Sequence, residues 1–264
     1  MSDNSVALPL LHYQLGQHIV AFTTLRQGGV SKGDYASFNI NPYCGDNLGS
    51  VAINRQLLAR TLDIDESQII LPRQTHSNNV IVIDRDFLQQ PQRNRKALLD
   101  NVDAIVCSEK GLCVGVSTAD CVPVLLYDEA NHVGAAIHAG WRGVIADIVG
   151  KTILQMQTCY NTTTAMLRVV IAPCISLLAF EVGDEVYRIF EEKGFPMSQI
   201  SSRIANRWHI DLVEAVAWQL QSHGVVSQGI YRSGECTYSA SERYFSARQL
   251  GIHSGRLFTG FMLK

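Results

Sequence analysis

Short apolar runs alternate with polar or glycine-rich breaks along most of this chain. Apolar runs of about four to eight residues with such boundaries are typical of buried strands. On this basis we predict strands at residues 19–25, 79–84, 102–107, 112–116, 122–127, 133–138, 167–171 and 258–263. Most of them lie in the middle of the sequence, so we expect at least one substantial sheet there.

Helices are predicted where apolar residues recur every three or four positions. The clearest stripe comprises Ile145, Ile148, Val149, Thr152, Ile153 and Met156. A second helix is expected to begin at a Ser50 cap and to carry Val51, Leu57, Leu58 and Leu62. Two more are predicted, at residues 184–193 and after a capping box formed by Asp211 and Glu214. Strands outnumber helices without alternating regularly with them, which favours a mixed α/β domain over a regular βαβ arrangement.

The composition is that of an ordinary globular protein, with 264 residues, 47% hydrophobic residues and a formal net charge of −2. A nearly neutral chain is not typical of nucleic-acid binders, whose surfaces are basic. No apolar run reaches the roughly 18 residues of a membrane span, and the N-terminal residues lack the pattern of a secretory signal. We therefore expect a cytoplasmic protein that binds neither nucleic acid nor membrane. We also predict a single domain over residues 1–264, with residues 1–18 as an N-terminal extension or a first strand.

Seven irregularly spaced cysteines are present, at Cys44, Cys107, Cys113, Cys121, Cys159, Cys174 and Cys236. They include no CxxC pair, which argues against a zinc ribbon or a thioredoxin-type site. In a reducing compartment most such residues are small buried hydrophobes. Cys121 is the exception, because it lies in a polar segment.

Three polar segments are not explained by core packing. They are residues 73–78 (RQTHSN), 117–123 (STADCVP) and 138–143 (HAGWRG). The last one joins a predicted strand to the helix that follows, and joints of this kind are where α/β proteins commonly place functional sites. Each segment contributes one candidate metal ligand, namely His76, Cys121 or His138.

Two imidazoles and a thiolate suit a catalytic Zn²⁺, which takes three protein ligands and leaves one position open to activate water or polarise an oxygen. The alternatives are hydrogen-bonded structural histidines and an inert buried cysteine. A third interpretation makes Cys121 a thiolate nucleophile beside a histidine, as in cysteine hydrolases. Asp120 is a candidate catalytic carboxylate that orients a ligand or moves protons, or else a turn cap.

Four arginines lie in or near glycine-rich and polar segments and are candidates for binding phosphate or substrate. They are Arg26, Arg142, Arg248 and Arg256. Arginine forks and glycine-rich turns before helices are common phosphate-binding devices. The alternative is that these side chains are simply solvated. The chain has no Walker loop and no GxGxxG motif that opens a βαβ unit, so a nucleoside triphosphate or dinucleotide site is unsupported.

Several motifs occur in a fixed order along the chain. They are residues 23–31 (TTLRQGGVS), 44–46 (CGD), 54–55 (NR), 74–76 (QTH), 118–124 (TADCVPV), 138–143 (HAGWRG), 179–183 (AFEVG) and 236–238 (CTY). Together they resemble the laccase-domain family, also called the multicopper polyphenol oxidase or purine nucleoside phosphorylase family, over roughly residues 20–260. The ADC and HAGWRG segments are highly specific in combination.

The resemblance implies an α+β fold, a single domain of layered mixed β-sheets flanked by helices. It implies a zinc ion held by His76, Cys121 and His138, and it places the family's arginine before the double glycine at Arg26. It further implies phosphorolysis of adenosine, inosine and methylthioadenosine, together with deamination of adenosine, in the cytosol. The implied partners are purine nucleosides and phosphate, and we expect a monomer or a homodimer.

Two segments depart from the family pattern. Its Gly-Pro-x-Ile-Gly segment appears here as residues 172–176 (APCIS), and its Phe-Ser-Tyr-Arg-Arg segment as residues 245–249 (FSARQ). The family's tyrosine and second arginine are therefore missing from the latter segment.

Other functions are weighed against the phosphorylase. One is a copper-dependent polyphenol oxidase, against which the sequence argues because it contains no His-x-His pair, although two His and one Cys also resemble a blue-copper ligand set. Copper is therefore an alternative or adventitious metal. Another is a cysteine-type amidase acting on a cell-wall precursor, which needs Cys121 free of metal. A structural metal module fits poorly, because structural zinc sites use four protein ligands.

Overall fold

We describe the protein from a computed structural model, which covers residues 8–264. The expectation for residues 1–7 lies outside this range. The strands are β1 (Leu10–Tyr13), β2 (Ile19–Thr24), β3 (Ile69–Ile70), β4 (Val80–Ile83), β5 (Ala104–Cys107), β6 (Cys113–Thr118), β7 (Val122–Asp128), β8 (Val133–Ala139), β9 (Arg168–Ile171), β10 (Glu181–Val182), β11 (Ser201–Ile204), β12 (Arg207–Ile210), β13 (Ile230–Arg232) and β14 (Leu257–Leu263).

The helices vary from single turns to fifteen residues. They are α1 (Leu48–Leu62), α2 (Arg85–Gln89), α3 (Gln92–Leu98), α4 (Trp141–Ile145), α5 (Ile148–Tyr160), α6 (Asp184–Glu192), α7 (Met197–Ile200), α8 (Leu212–Ser222) and α9 (Ala247–Leu250). Short 3₁₀ turns lie at Gly33–Tyr35, Glu66–Gln68, Thr164–Met166 and Ser227–Gly229.

Two large mixed sheets form the centre of the fold. The first has the strand order β1-β2-β14-β6-β3, with β3 parallel to β6 and the other pairs antiparallel. The second has the order β13-β9-β7-β8-β5-β4, with parallel pairs only at its two edges. A small antiparallel sheet, β10-β12-β11, lies apart from them. The predicted α+β fold of mixed sheets flanked by helices is confirmed.

The two large sheets pack face to face. One buried cluster combines Val114 and Phe261 from the first sheet with Leu125, Tyr127 and Ala136 from the second. Successive residues of a strand point to opposite faces, and accordingly the neighbours of Leu125 along β7 contribute to a different cluster on the far side. Strand β7 is apolar at nearly every position because both of its faces are covered.

Helices cover the outer faces of both sheets. Apolar residues of α5 and α8, such as Ile153 and Val216, pack on the second sheet. Leu58 and Ala59 of α1 pack against Phe22 and Phe258 of the first sheet. The layers therefore follow the order helix, sheet, sheet, helix.

Each predicted strand has a counterpart, in β2, β4, β5, β6, β7, β8, β9 and β14. The apolar stripe from Ile145 to Met156 spans two helices rather than one, because Asp147 adopts a left-handed conformation (φ 56°) and caps α5. The helix at 184–193 and the Asp211 cap, which accepts a hydrogen bond from Glu214 N at 3.0 Å, are confirmed.

The predicted Ser50 cap is wrong. The cap of α1 is Asn47, whose side-chain oxygen accepts a hydrogen bond from the backbone N–H of Ser50 at 3.0 Å. Ser50 is thus the third residue of the helix, and the helix begins before the apolar stripe.

Candidate functional site

The three candidate ligands come together at one end of the two large sheets. His76 follows β3, Cys121 lies in the turn that leads from β6 of the first sheet to β7 of the second, and His138 lies near the end of β8. The register of β7 and β8 pairs Pro123 with His138, which brings Cys121 beside that histidine. One ligand atom from each of the three side chains lies within 4.8 Å of the others.

A close approach of backbone and side chains forms the floor of this cluster. The Nε2 atom of His76 lies 3.7 Å from the Sγ atom of Cys121, and the two imidazole rings meet edge-on at 4.8 Å between centroids. Gly140 lies directly against them, since a Cβ atom there would be 2.8 Å from the His76 ring and 3.2 Å from Cys121 Sγ. A glycine at this position is therefore required by the packing of the cluster.

Asp103 holds two of the three side chains in place. Its fully buried carboxylate accepts a hydrogen bond of 2.7 Å from Nδ1 of His138. This bond turns the other ring nitrogen of His138 towards Cys121. The same carboxylate accepts hydrogen bonds from the backbone N–H groups of Thr75, His76 and Ser77 at 2.8–3.2 Å. These bonds hold His76 in the left-handed region (φ 62°), which is costly for a side chain with a Cβ atom.

Sequence reasoning missed Asp103. A signal was present, because an aspartate within a predicted buried strand needs compensating hydrogen bonds or charges. Nothing in the spacing of the residues indicates that its partners are His138 and the segment around His76.

Without a metal, the pKa values of the cluster favour a Cys121 thiolate beside a protonated His138, which must release its proton to bind a metal ion. Burial raises the pKa of Asp103, but hydrogen bonds from His138, Ser77 and Thr75 outweigh it and lower the pKa to about 2. Burial also raises the pKa of the Cys121 thiol, but the two imidazoles outweigh it and lower the pKa from 9.0 to about 6. The pKa of His138 is lowered by burial yet raised more strongly by Cys121 and Asp103, to about 9. Cys121 is therefore a thiolate at neutral pH.

Asp120 lies next to the cluster but bonds elsewhere. Its buried carboxylate accepts hydrogen bonds of 2.7 Å from the Thr237 hydroxyl and from the backbone N–H of Arg248. Both carboxylate oxygens thus bond to the C-terminal part of the chain, and the carboxylate that orients a histidine of the cluster is Asp103. The catalytic role of Asp120 stays a prediction.

A cavity of ≈ 750 Å³ opens above the three ligands. Its volume is within the roughly 300–1,000 Å³ of typical small-molecule sites. Its walls include the aromatic side chains of Tyr43, Trp141 and Phe180. Gln74 and Ser117 form a polar part of the wall. The Gln74 amide donates a hydrogen bond of 2.8 Å to the carbonyl of Ser117 and accepts one of 2.8 Å from the backbone N–H of Ser117. The cavity therefore offers flat apolar surfaces beside a metal-binding cluster.

The four predicted arginines separate into two groups. Arg248 and Arg256 line the cavity, whereas Arg26 and Arg142 do not. The Arg26 guanidinium donates to the backbone carbonyls of Ala36 and Ser241, and that of Arg142 stacks on the Trp141 ring at 4.2 Å.

The two arginines of the cavity differ in their remaining donors. Arg256 donates to the backbone carbonyls of Ile252, Ser254 and Gly255 at 2.7–2.9 Å. Arg248 is exposed, lies over the Phe180 ring at 5.7 Å, and donates one longer hydrogen bond, of 3.3 Å, to the carbonyl of Glu181 among the described residues. Arg248 therefore has more donors available for a ligand.

Comparison with known proteins places the chain in a family. A family profile described as multi-copper polyphenol oxidoreductase laccase matches residues 20–264. The chain belongs to this laccase family. Among its laccase-family relatives, a purine nucleoside phosphorylase of Bacteroides thetaiotaomicron is 44% identical, covering 93% of this chain and 92% of its own length. Adenosine deaminase RL5, from an unknown prokaryotic organism, is 37% identical over 93% and 94% of the two chains.

The fold of the laccase-family chain matches solved structures over nearly its whole length. The crystal structure of YlmD from Geobacillus stearothermophilus superposes with a TM-score of 0.86 at 25% sequence identity, covering 97% of this chain and 100% of that one. Within residues 8–264, no helix is long and apolar enough to cross a membrane.

Proposed function

We propose that this protein is a zinc-dependent purine nucleoside phosphorylase that acts on adenosine, inosine and methylthioadenosine and also deaminates adenosine. The observation that carries the proposal is the His76–Cys121–His138 cluster at the floor of an aromatic-walled cavity. The names of the two relatives support the same pair of activities. The predicted single domain over residues 1–264, acting as a monomer or homodimer in the cytoplasm, remains part of this proposal.

The donor set and its geometry fit Zn²⁺. Tetrahedral bonds of about 2.3 Å to sulfur and about 2.0 Å to nitrogen put ligand atoms about 3.5 Å apart. The Cys121–His76 distance of 3.7 Å is close to that value. Two nitrogens and one sulfur leave the fourth position free, and a bound Zn²⁺ supplies there a Lewis acid for water or a substrate oxygen.

The protein's own side chains supply positioning around this centre. The hydrogen bond from Asp103 fixes the orientation of His138, as a partner of a metal-ligating histidine does. Phe180 and Trp141 offer flat surfaces on which a purine ring can stack. Arg248 is our candidate for binding phosphate, because charge-assisted hydrogen bonds from a guanidinium orient an oxyanion for attack.

In phosphorolysis a phosphate oxygen forms a bond to the sugar C1′ while the bond from C1′ to the purine breaks. Arg248 holds the attacking phosphate, and the cavity walls hold the departing base. Asp120 contributes by fixing the backbone of Arg248, to which its carboxylate is hydrogen-bonded. A proton-transfer role for Asp120 would first require release of its bond to Thr237.

The test combines metal analysis with phosphate-dependent release of hypoxanthine from inosine. We expect about one zinc per chain and turnover in the wild type, loss of both in Cys121→Ser, and neither loss in Cys159→Ser, because Cys159 is exposed and outside the cavity. Arg248→Gln is expected to raise KM for phosphate about tenfold without loss of zinc. Absence of hypoxanthine from zinc-loaded protein would exclude the phosphorylase.

A cysteine hydrolase is the second candidate, because Asp103, His138 and Cys121 form a hydrogen-bonded series like that of a catalytic triad. This reaction needs Cys121 free of metal, so it predicts rapid alkylation of Cys121 in protein as purified. Zinc-loaded protein should instead resist iodoacetamide until the metal is removed. A blue-copper absorption band in metal-replete protein would favour the oxidase.

A further inference from the structure

A second cavity lies between α1 and α3, on the other side of Tyr43 from the metal cluster. We call it the α1–α3 groove. Its volume is ≈ 730 Å³, again the size of a small-molecule site. Its apolar lining includes Leu48 and Val51 of α1, Leu71 and Phe87. None of the three candidate metal ligands lines this groove.

Four basic side chains line the groove, and two of them are already paired. Arg55 bonds to Glu66 at 3.3 Å, and Arg73 bonds to Asp100 at 2.7 Å. Glu66 and Asp100 are the acidic residues of the lining, and each already neutralises one of these two arginines. The remaining cations are Arg95 and Lys96 of α3, which have no acidic partner within 4.0 Å among residues 8–264.

Arg95 also carries an unused buried donor. Its Nε atom is buried and has no hydrogen-bond acceptor among the described residues. An always-charged guanidinium with a buried N–H lacking an acceptor is costly, and buried polar groups are normally satisfied by a partner. An oxyanion in the groove would supply the acceptor and the missing negative charge.

We propose that the α1–α3 groove binds a small amphipathic anion, with an apolar body on the lining of Leu48, Val51, Leu71 and Phe87 and one oxyanion group held by Arg95 beside Lys96. Carboxylates and phosphates share the required chemistry, since both accept paired hydrogen bonds from a guanidinium. The site is separate from the proposed phosphorylase reaction and does not depend on it.

The probe is 8-anilinonaphthalene-1-sulfonate, whose fluorescence rises on binding to apolar surfaces. N-phenyl-1-naphthylamine, which has the same rings without the sulfonate, is the neutral control probe. We expect Arg95→Gln to weaken binding of the sulfonate at least tenfold and Lys96→Gln to weaken it about threefold. Binding of the neutral probe should change less than twofold in both variants.

Two control variants locate the effect. Arg93 is on the same helix but does not line the groove, so Arg93→Gln should bind the sulfonate as the wild type does. Arg248→Gln alters the other cavity, so a loss of sulfonate binding in this variant with none in Arg95→Gln would place the probe there and contradict the proposal. Competition with octanoate and with adenosine monophosphate then distinguishes the carboxylate from the phosphate as the preferred group.

Equal affinity of the sulfonate for wild type and Arg95→Gln, with Lys96→Gln unchanged as well, would overturn the proposal. Failure of both octanoate and adenosine monophosphate to displace the probe would overturn it too. Sedimentation equilibrium gives a third outcome. If the wild type is a dimer that Arg95→Gln dissociates, a second copy of the chain occupies the groove and the small anion does not.

Discussion

At the scale of single residues, the two histidines of the site are held by a buried carboxylate that does not line the cavity. Asp103 bonds to His138 and to three consecutive backbone N–H groups around His76. One buried side chain thus sets the positions of two ligands that come from distant parts of the sequence. This arrangement makes Asp103 a positioning residue for whichever metal the cluster binds.

Replacement of Asp103 by Asn should therefore weaken metal binding without removing a ligand. An amide retains an acceptor but loses the negative charge, so we expect the affinity for Zn²⁺ to fall about 10–100-fold. Competition with a chromogenic chelator measures this affinity. Asp100→Asn is the matched control, because Asp100 lies in the same segment but forms only an exposed ion pair with Arg73. Unchanged zinc affinity in Asp103→Asn would refute the positioning role.

The pKa of Cys121 gives a second prediction for the metal-free protein. Only the thiolate reacts with iodoacetamide, and the pKa is lowered to about 6 by the neighbouring imidazoles. The deprotonated fraction rises with pH, so the alkylation rate should rise through a midpoint near pH 6 and be nearly constant above pH 8. Mass spectrometry of tryptic peptides follows Cys121 specifically. A rate that rises only above pH 8 would contradict the stabilised thiolate.

At the scale of elements, the first helix shows how local chemistry sets a boundary. Asn47 caps α1, while Ser50 contributes only its backbone N–H. Among residues 8–264, the Ser50 hydroxyl forms no hydrogen bond. The side chain of Asn47 therefore contributes the stability of this cap, and the side chain of Ser50 contributes none of it.

Asn47→Ala should destabilise the protein by about 1 kcal/mol, the typical cost of removing an N-cap side chain. Ser50→Ala should change stability by less than about 0.5 kcal/mol, since alanine keeps the backbone donor and favours the helix. Urea unfolding of the two variants provides the comparison. The opposite order of effects would restore Ser50 as the cap.

Strands covered on both faces could be predicted from the sequence, and polar strands could not. β7 and β8 are visible as apolar runs because each packs on two layers. The hairpin of β11 and β12 is largely polar and turns at Ala205 and Asn206, both at positive φ, so it lacks an apolar run.

The candidate site also has parts that could be predicted from the sequence and parts that could not. His76, Cys121 and His138 could be proposed because each interrupts or ends an apolar run, and the structure brings them together. The partners of Asp103 and the different positions of Arg26 and Arg248 depend on how distant segments pack. Such contacts leave no local pattern in the sequence.

At the scale of the whole molecule, one close contact between the two large sheets is made at a glycine. A Cβ atom at Gly134 of β8 would lie 2.6 Å from the ring of Phe261, which belongs to β14 of the other sheet. The ring of Phe261 thus fills the space that a side chain at Gly134 would occupy.

Gly134→Ala should destabilise the protein by about 1–3 kcal/mol through overpacking. Without this contact the same substitution would stabilise a strand, because glycine loses more backbone entropy on folding than alanine does. The double variant Gly134→Ala/Phe261→Leu should be less destabilised than the sum of the single variants, because the smaller side chain makes room. Calorimetric unfolding supplies the three free energies. Strict additivity would show that the two positions do not share this space.

The strand order of the first sheet also has a consequence for synthesis on the ribosome. β14 lies between β2 and β6, yet it follows every other described strand along the chain. Until β14 emerges, both neighbours have an open edge, and exposed strand edges promote association between chains. The nascent chain therefore holds an incomplete first sheet until residues 257–263 have been synthesised, and its open strand edges need protection from association during that interval.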